Sequence, residues 1–168
     1  MLTVDTEVAA GDWGDGDWDA LATAAVAAAL AQTTHAHLDR AGYAVEVAVR
    51  LTDDAEVRTL NAQYRHQNKP TNVLSFPMVQ PDLLDGLADS DNGEVLLGDI
   101  VLAYETCAAE ATAKTIALAD HARHLIAHGM LHLLGLDHGD DVAAAHMEGL
   151  ETAAMATLGL ADPYAATD

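Results

Sequence analysis

His128-Gly129-Met130-Leu131-His132-Leu133-Leu134-Gly135-Leu136-Asp137-His138 reads as the last turns of a helix followed by a return of the chain. His128 and His132 are four residues apart, so on an α-helix they stand one turn above the other on a single face, with Cβ atoms about 5–6 Å apart. Both imidazoles then reach one ion. A zinc ion takes histidine nitrogens at about 2.0–2.1 Å in a tetrahedral shell, and a straight helix cannot complete that shell because later side chains rotate away. Gly135 lets the chain turn back, since glycine just past the last helical residue adopts the left-handed conformation that ends a helix. His138 then returns as a third ligand. Three protein ligands leave a fourth position for water, the pattern of a catalytic zinc rather than a closed structural one. Nine histidines make a chance pair easy to find. His124, His128 and His132 fall within about 80° of one another on a helix, so His124 and His128 form a competing pair. The pair His128 and His132 is preferred because it sits close enough to the Gly135 turn for His138 to join it.

Outward from this site, two further stretches carry a pattern. Residues 60–77 read Leu60-Asn61-Ala62-Gln63-Tyr64-Arg65-His66-Gln67-Asn68-Lys69-Pro70-Thr71-Asn72-Val73-Leu74-Ser75-Phe76-Pro77, and a third stretch reads Leu97-Gly98-Asp99-Ile100. The three motifs, in this order over roughly residues 45–160, make the chain resemble the YbeY family, bacterial zinc-dependent endoribonucleases of ribosomal RNA maturation. The first 20 residues and the loop 78–94 carry little of the pattern. The resemblance implies one zinc ion per chain, held by His128, His132 and His138. It implies Arg65 as the positively charged residue of the active site, so that Arg65 and the ligand His128 are the candidate catalytic residues. It also implies a mixed sheet, single-stranded ribosomal RNA as substrate, late maturation of the 16S rRNA 3′ end, and ribosome quality control. The implied partners are the small ribosomal subunit, one of its proteins and a ribosome-associated GTPase. The metal motif is also similar to that of zinc proteases of the His-Glu-x-x-His type, whose Glu is the general base. Here that position is Gly129, and room for a bulky substrate is one reason for a glycine there.

Composition pulls the other way. Acids outnumber bases 27 to 7, for a net charge of −20, which repels polyanions at long range, whereas nucleic-acid affinity rests on Lys and Arg neutralising phosphates. Distribution softens the objection, because Arg50, Arg58, Arg65 and Lys69 fall within one short span. A single cysteine, Cys107, forms no internal disulfide and reads as a small apolar residue on an Ala-rich helix. No Lys or Arg precedes Arg40, so the basic start of a signal peptide is missing, and the apolar run Ala20 to Ala31 is shorter than the ~20 residues of a membrane span. The expectation is a soluble cytoplasmic protein with no membrane partner.

The remaining periodicities predict one α+β domain over residues 1–168, with a small mixed sheet of about four strands and about five helices. Strands are expected at Leu2 to Val8, Tyr43 to Leu51, Thr71 to Phe76 and Val95 to Ala103, from β-rich or alternating apolar runs. Gly11 to Trp18 reads as a solvated acidic linker before a helix over 18–33 that Trp18 anchors. Asp53 and Glu56 resemble a capping box opening a helix to about Tyr64, whose continuation Pro70 forbids. Helical pattern from Tyr104 to Leu134 is too long without a break, expected near Lys114 to Leu118. Asp140 or Asp141 opens a last helix ending at Gly159, with Met147 as core. Residues 80–94 read as a long surface loop.

For the chemistry, a guanidinium holds phosphate oxygens through two N–H bonds and neutralises charge growing on a phosphorane, so Arg65 with zinc predicts phosphodiester hydrolysis in RNA. Asp137, Glu148 and Glu151 are open candidates for a proton acceptor or for a carboxylate that orients a histidine ring. The competing reading is a non-catalytic ribosome-assembly factor in which zinc only staples the fold. A fourth protein ligand, for instance His124, would favour it.

Overall fold

The computed structural model describes residues 2–40, 44–80, 83–84 and 94–164. Most of the loop expected over 80–94 lies outside these residues, as does Tyr43. The elements in chain order are β1 (Leu2–Val8), α1 (Trp18–Ala31), a 3-10 turn (Ala36–Arg40), β2 (Ala44–Thr52), α2 (Asp54–Arg65), β3 (Val73–Pro77), β4 (Glu94–Ala103), α3 (Tyr104–Lys114), α4 (Leu118–Leu133) and α5 (Asp141–Thr157). The fold is α+β, with a four-strand mixed sheet and five helices.

The strands lie in the order β1-β2-β4-β3. β1, β2 and β4 run parallel, and β3 pairs antiparallel with β4 from Val73 opposite Leu102 to Pro77 opposite Gly98. Period-two alternation decides the faces. Val45, Val47, Val49 and Leu51 of β2 and Ile100 and Leu102 of β4 enter the main core with α1, α4 and α5. Val101, Leu74 and Val57 form a smaller cluster on the side of α2. In α1 the buried Ala22, Ala25, Val26 and Ala29 make a stripe at helical spacing. Small side chains there let α1 pack closely on α4.

Local chemistry sets most boundaries, with some departures from expectation. The linker is not simply solvated: Trp13 is buried, edge-on to Trp18 and Tyr104. The Asp53 carboxylate accepts from the Glu56 N–H, but Glu56 does not complete a capping box, because its carboxylate binds Arg50 and Thr52 instead. α2 stops at Arg65, before Pro70, since His66 takes the left-handed conformation and its N–H bonds Asn61 O. The buried Asn61 amide donates to Lys69 O and ties down the connection that follows. The long helical run breaks between Lys114 and Leu118, at a left-handed Thr115. Asp140 caps α5 by accepting from Ala143 N, and Met147 is core. Cys107 is buried and burial pushes its thiol up to about 12, so it is an inert packing residue. Among the described residues no helix is long and apolar enough to cross a membrane.

Gly129 has a different reason from the one its sequence suggests. A Cβ at this position would stand 2.8 Å from Ile100 Cγ2 and 3.0 Å from Ser75 Oγ. The glycine therefore seats α4 on β3 and β4, and the space beside it is filled by the sheet rather than left for substrate.

Candidate metal centre

His128 and His132 project from the last turns of α4, and His138 comes from the segment after it. The turn between them is a Schellman motif: Leu136 N bonds Leu131 O at 3.1 Å and Gly135 N bonds His132 O at 3.0 Å, with Gly135 at φ +92. Asp137 then accepts from the His138 N–H at 2.7 Å, fixing the backbone from which the third imidazole returns. One ligand nitrogen from each of His128, His132 and His138 lies within 4.8 Å of the others.

Hydrogen bonds select the nitrogens. His132 Nδ1 lies 2.9 Å from Leu136 O, and a carbonyl only accepts, so Nδ1 carries the proton and the Nε2 lone pair is left to face a metal ion. The motif that ends the helix thus also sets this tautomer. His128 Nδ1 lies 3.1 Å from Glu151 Oε1, which leaves its Nε2 for the cleft as well. The two Nε2 atoms are 3.1 Å apart. Two nitrogens bound at 2.0–2.1 Å to one tetrahedral zinc stand about 3.3 Å apart, so the donor set fits such an ion.

Burial and the neighbouring His128 and His138 push His132 down to about 4. Below its ordinary value of 6.5 the unfolded chain takes up a proton that folded His132 refuses until about pH 4. The metal-free protein is therefore expected to lose stability as pH falls from 6.5 towards 4. Urea midpoints of the chelated protein at pH 7.5 and 5.0 check this: the lower midpoint belongs at pH 5.0, and His132→Gln flattens the difference.

The triad opens into a cleft of about 520 Å³ whose walls include Arg65, Thr71, Asn72, Ser75 and Asp137. Arg65 is exposed at the end of α2, and its Nη2 donates to Ser75 O at 2.8 Å. Its guanidinium carbon sits 5.9 Å from the Phe76 ring centroid. The edge strand β3 thus holds Arg65 in the cleft wall with further N–H donors in reserve. The other expected bases are not brought to the cleft: Arg50 is bonded to Glu7 and Glu56, Arg58 to Asn68, and Lys69 is exposed outside the lining. His124 is turned to Glu151, 2.6 Å away. Among the expected carboxylates, Asp137 lines the cleft, Glu148 is exposed and Glu151 is buried. Two cleft contributions were not read from the sequence. The Ser75 carbonyl holds Arg65, and Asn72 donates to Glu110 at 3.1 Å; both residues lie inside the second motif, which was the available signal. A larger cavity of about 690 Å³ lies across the sheet, beside Asp99, Tyr64 and Phe76. It contains none of the three histidines, so a metal ion held by them would sit in the smaller cleft.

Fold and site define an α+β protein with a histidine triad that could hold a metal ion beside an arginine in an open cleft. The chain belongs to the Endoribonuclease YbeY family, which it matches over residues 15–159. It is 63% identical over 169 residues to a protein of Sphingopyxis alaskensis named Endoribonuclease YbeY, with all of both chains covered. A protein of the same name from Rhizorhabdus wittichii is 60% identical, with 94% of each chain covered. The solution structure of TM1509 from Thermotoga maritima shares the fold, with a TM-score of 0.51 at 20% identity, covering 99% of this chain and 100% of that one.

Proposed function

We propose that this protein is a zinc-dependent endoribonuclease. The observation that carries the reading is the shared cleft: three imidazoles suited to one ion stand in the same wall system as the guanidinium of Arg65. His128, His132 and His138 would hold the ion, and His128 would act through it as a catalytic residue. When bound, zinc supplies Lewis acidity and lowers the pKa of water to about 7. Arg65, steadied by Ser75 O, uses its free N–H groups to grip phosphate oxygens and to neutralise charge that develops on them. Asp137, which lines the cleft, would be the carboxylate to accept a proton, while Glu151 is too buried for that task.

The names of the relatives support RNA as the substrate. We extend the reading to single-stranded ribosomal RNA, with late maturation of the 16S rRNA 3′ end and ribosome quality control in the cytoplasm. Residues 1–168 would act as one metal-dependent hydrolase domain. A net charge of −20 disfavours free RNA at long range and suits a surface that approaches RNA through basic ribosomal proteins. The small ribosomal subunit, one of its proteins and a ribosome-associated GTPase are the partners this implies. The alternative, a non-catalytic zinc-stapled assembly factor, would be favoured by a fourth protein ligand, for instance His124, and His124 is bonded to Glu151 instead.

The test uses a 3′ fragment of small-subunit ribosomal RNA, free and within the intact subunit. Zinc-loaded protein is expected to cut it, a chelator to stop the reaction and added zinc to restore it. Products without a 2′,3′-cyclic phosphate would identify water as nucleophile. Failure to cut either form with zinc bound would overturn the reading in favour of the assembly factor.

A further inference from the structure

Glu151 of α5 is 1% exposed, the only buried acidic residue among the described residues. Its Oε1 meets three partners at once: His124 Nε2 at 2.6 Å, His128 Nδ1 at 3.1 Å and the Tyr164 hydroxyl at 2.7 Å. A buried carboxylate is strongly disfavoured unless it is paired and hydrogen-bonded. Three hydrogen bonds meet that condition here, and the carboxylate stands 23 residues from His128 in sequence and directly behind its ring.

We propose that Glu151 is the positioning residue of the metal centre: from α5 it holds His128 as the Nδ1–H tautomer with Nε2 aimed into the cleft, and it is the buried counter-charge of the bound cation. The inference rests on the reading that His128, His132 and His138 hold a divalent metal. The two arms of the triad are then set by different means. His132 is oriented by the backbone carbonyl of Leu136 in its own turn, and His128 by an anion on another helix. Tyr164 and His124 fix the carboxylate in turn. Tyr164 packs edge-on against His124, with ring centroids 5.3 Å apart, so the segment after α5 buttresses the centre without touching the cleft. An ionised carboxylate behind an imidazole raises its basicity towards a metal, and loss of such a partner typically lowers metal affinity about 10- to 100-fold.

The experiment compares wild type, Glu151→Gln, Glu151→Asp and Tyr164→Phe by zinc titration, with histidine ring 15N spectra of the metal-free proteins. Gln keeps the shape and removes the charge, and Asp keeps the charge but withdraws it by one methylene. Wild type is expected to show His128 as the Nδ1–H tautomer before any metal is added. Glu151→Gln should lose zinc affinity about 10- to 100-fold and shift the His128 ring resonances while those of His132 stay in place. Tyr164→Phe, which leaves the carboxylate and both histidines, should lose less. A folded Glu151→Gln with unchanged affinity and an unchanged His128 signature overturns the inference. So does an Nε2–H tautomer of His128 in the wild type, which needs no variant to fold. Wild type that binds no zinc at all would instead overturn the metal-centre reading on which the inference stands.

Discussion

Arg65→Ala in the zinc-loaded protein is expected to lower RNA cleavage about 100- to 1000-fold, the usual loss when a single preorganised donor to a developing oxyanion is removed. The effect should fall on kcat more than on KM, because the guanidinium is asked to stabilise charge that grows during the reaction. Zinc content and thermal midpoint should hardly change: Arg65 is exposed and its bond to Ser75 O is replaceable by water. Arg65→Lys should recover only part of the rate, since an ammonium lacks the fork that binds Ser75 O and phosphate together. Purifying the variants beside the wild type controls for stray nuclease, which would appear equally in all. Cleavage by Arg65→Ala at the wild-type rate with zinc bound would remove Arg65 from the mechanism.

The second large effect is on folding. Gly129→Ala gains roughly 1 kcal/mol of helix propensity but forces a methyl against Ile100, whose branched side chain is fully buried and has no free end to move. Overpacking of this kind costs about 1–3 kcal/mol, so the net change should be destabilising. Gly129→Glu, which writes the protease motif into the chain, should be far worse, because a longer, charged side chain must leave a buried position where the Cβ alone already meets Ile100 Cγ2 at 2.8 Å. It is expected to abolish folding rather than to confer peptide hydrolysis. Denaturant midpoints and soluble yield check both. A stable Gly129→Glu protein with an intact sheet would show that the close seating of α4 is not what excludes a side chain there.

These cases show how far the sequence could be read. The triad was legible because its logic is local: four residues make one helical turn, and Gly135 makes the reversal, so the backbone alone brings His128, His132 and His138 to one side of the turn. The α3–α4 break and the Asp140 cap were legible for the same reason, although Thr115 supplied the break without a glycine or proline. The capping pattern at Asp53 was only half right, since Glu56 had a stronger partner in Arg50. Pro70 was credited with an ending that His66 performs. The purpose of Gly129 was misread because periodicity tells which residues share a face, not how closely another element approaches it.

By itself, then, the sequence determined most of the elements and the convergence of three histidines, through short-range geometry, while Arg65 was singled out by the family resemblance. Only the tertiary structure decided that β3 runs antiparallel at the sheet edge and presents Ser75 O to Arg65, that Gly129 is a contact with β4, and that Glu151 stands behind His128. The physical reason is the range of the interactions. Backbone turns and i, i+4 spacing are fixed within a few residues, whereas a buried carboxylate finds its partners only when α5 packs on α4, and no periodicity along the chain records that distance.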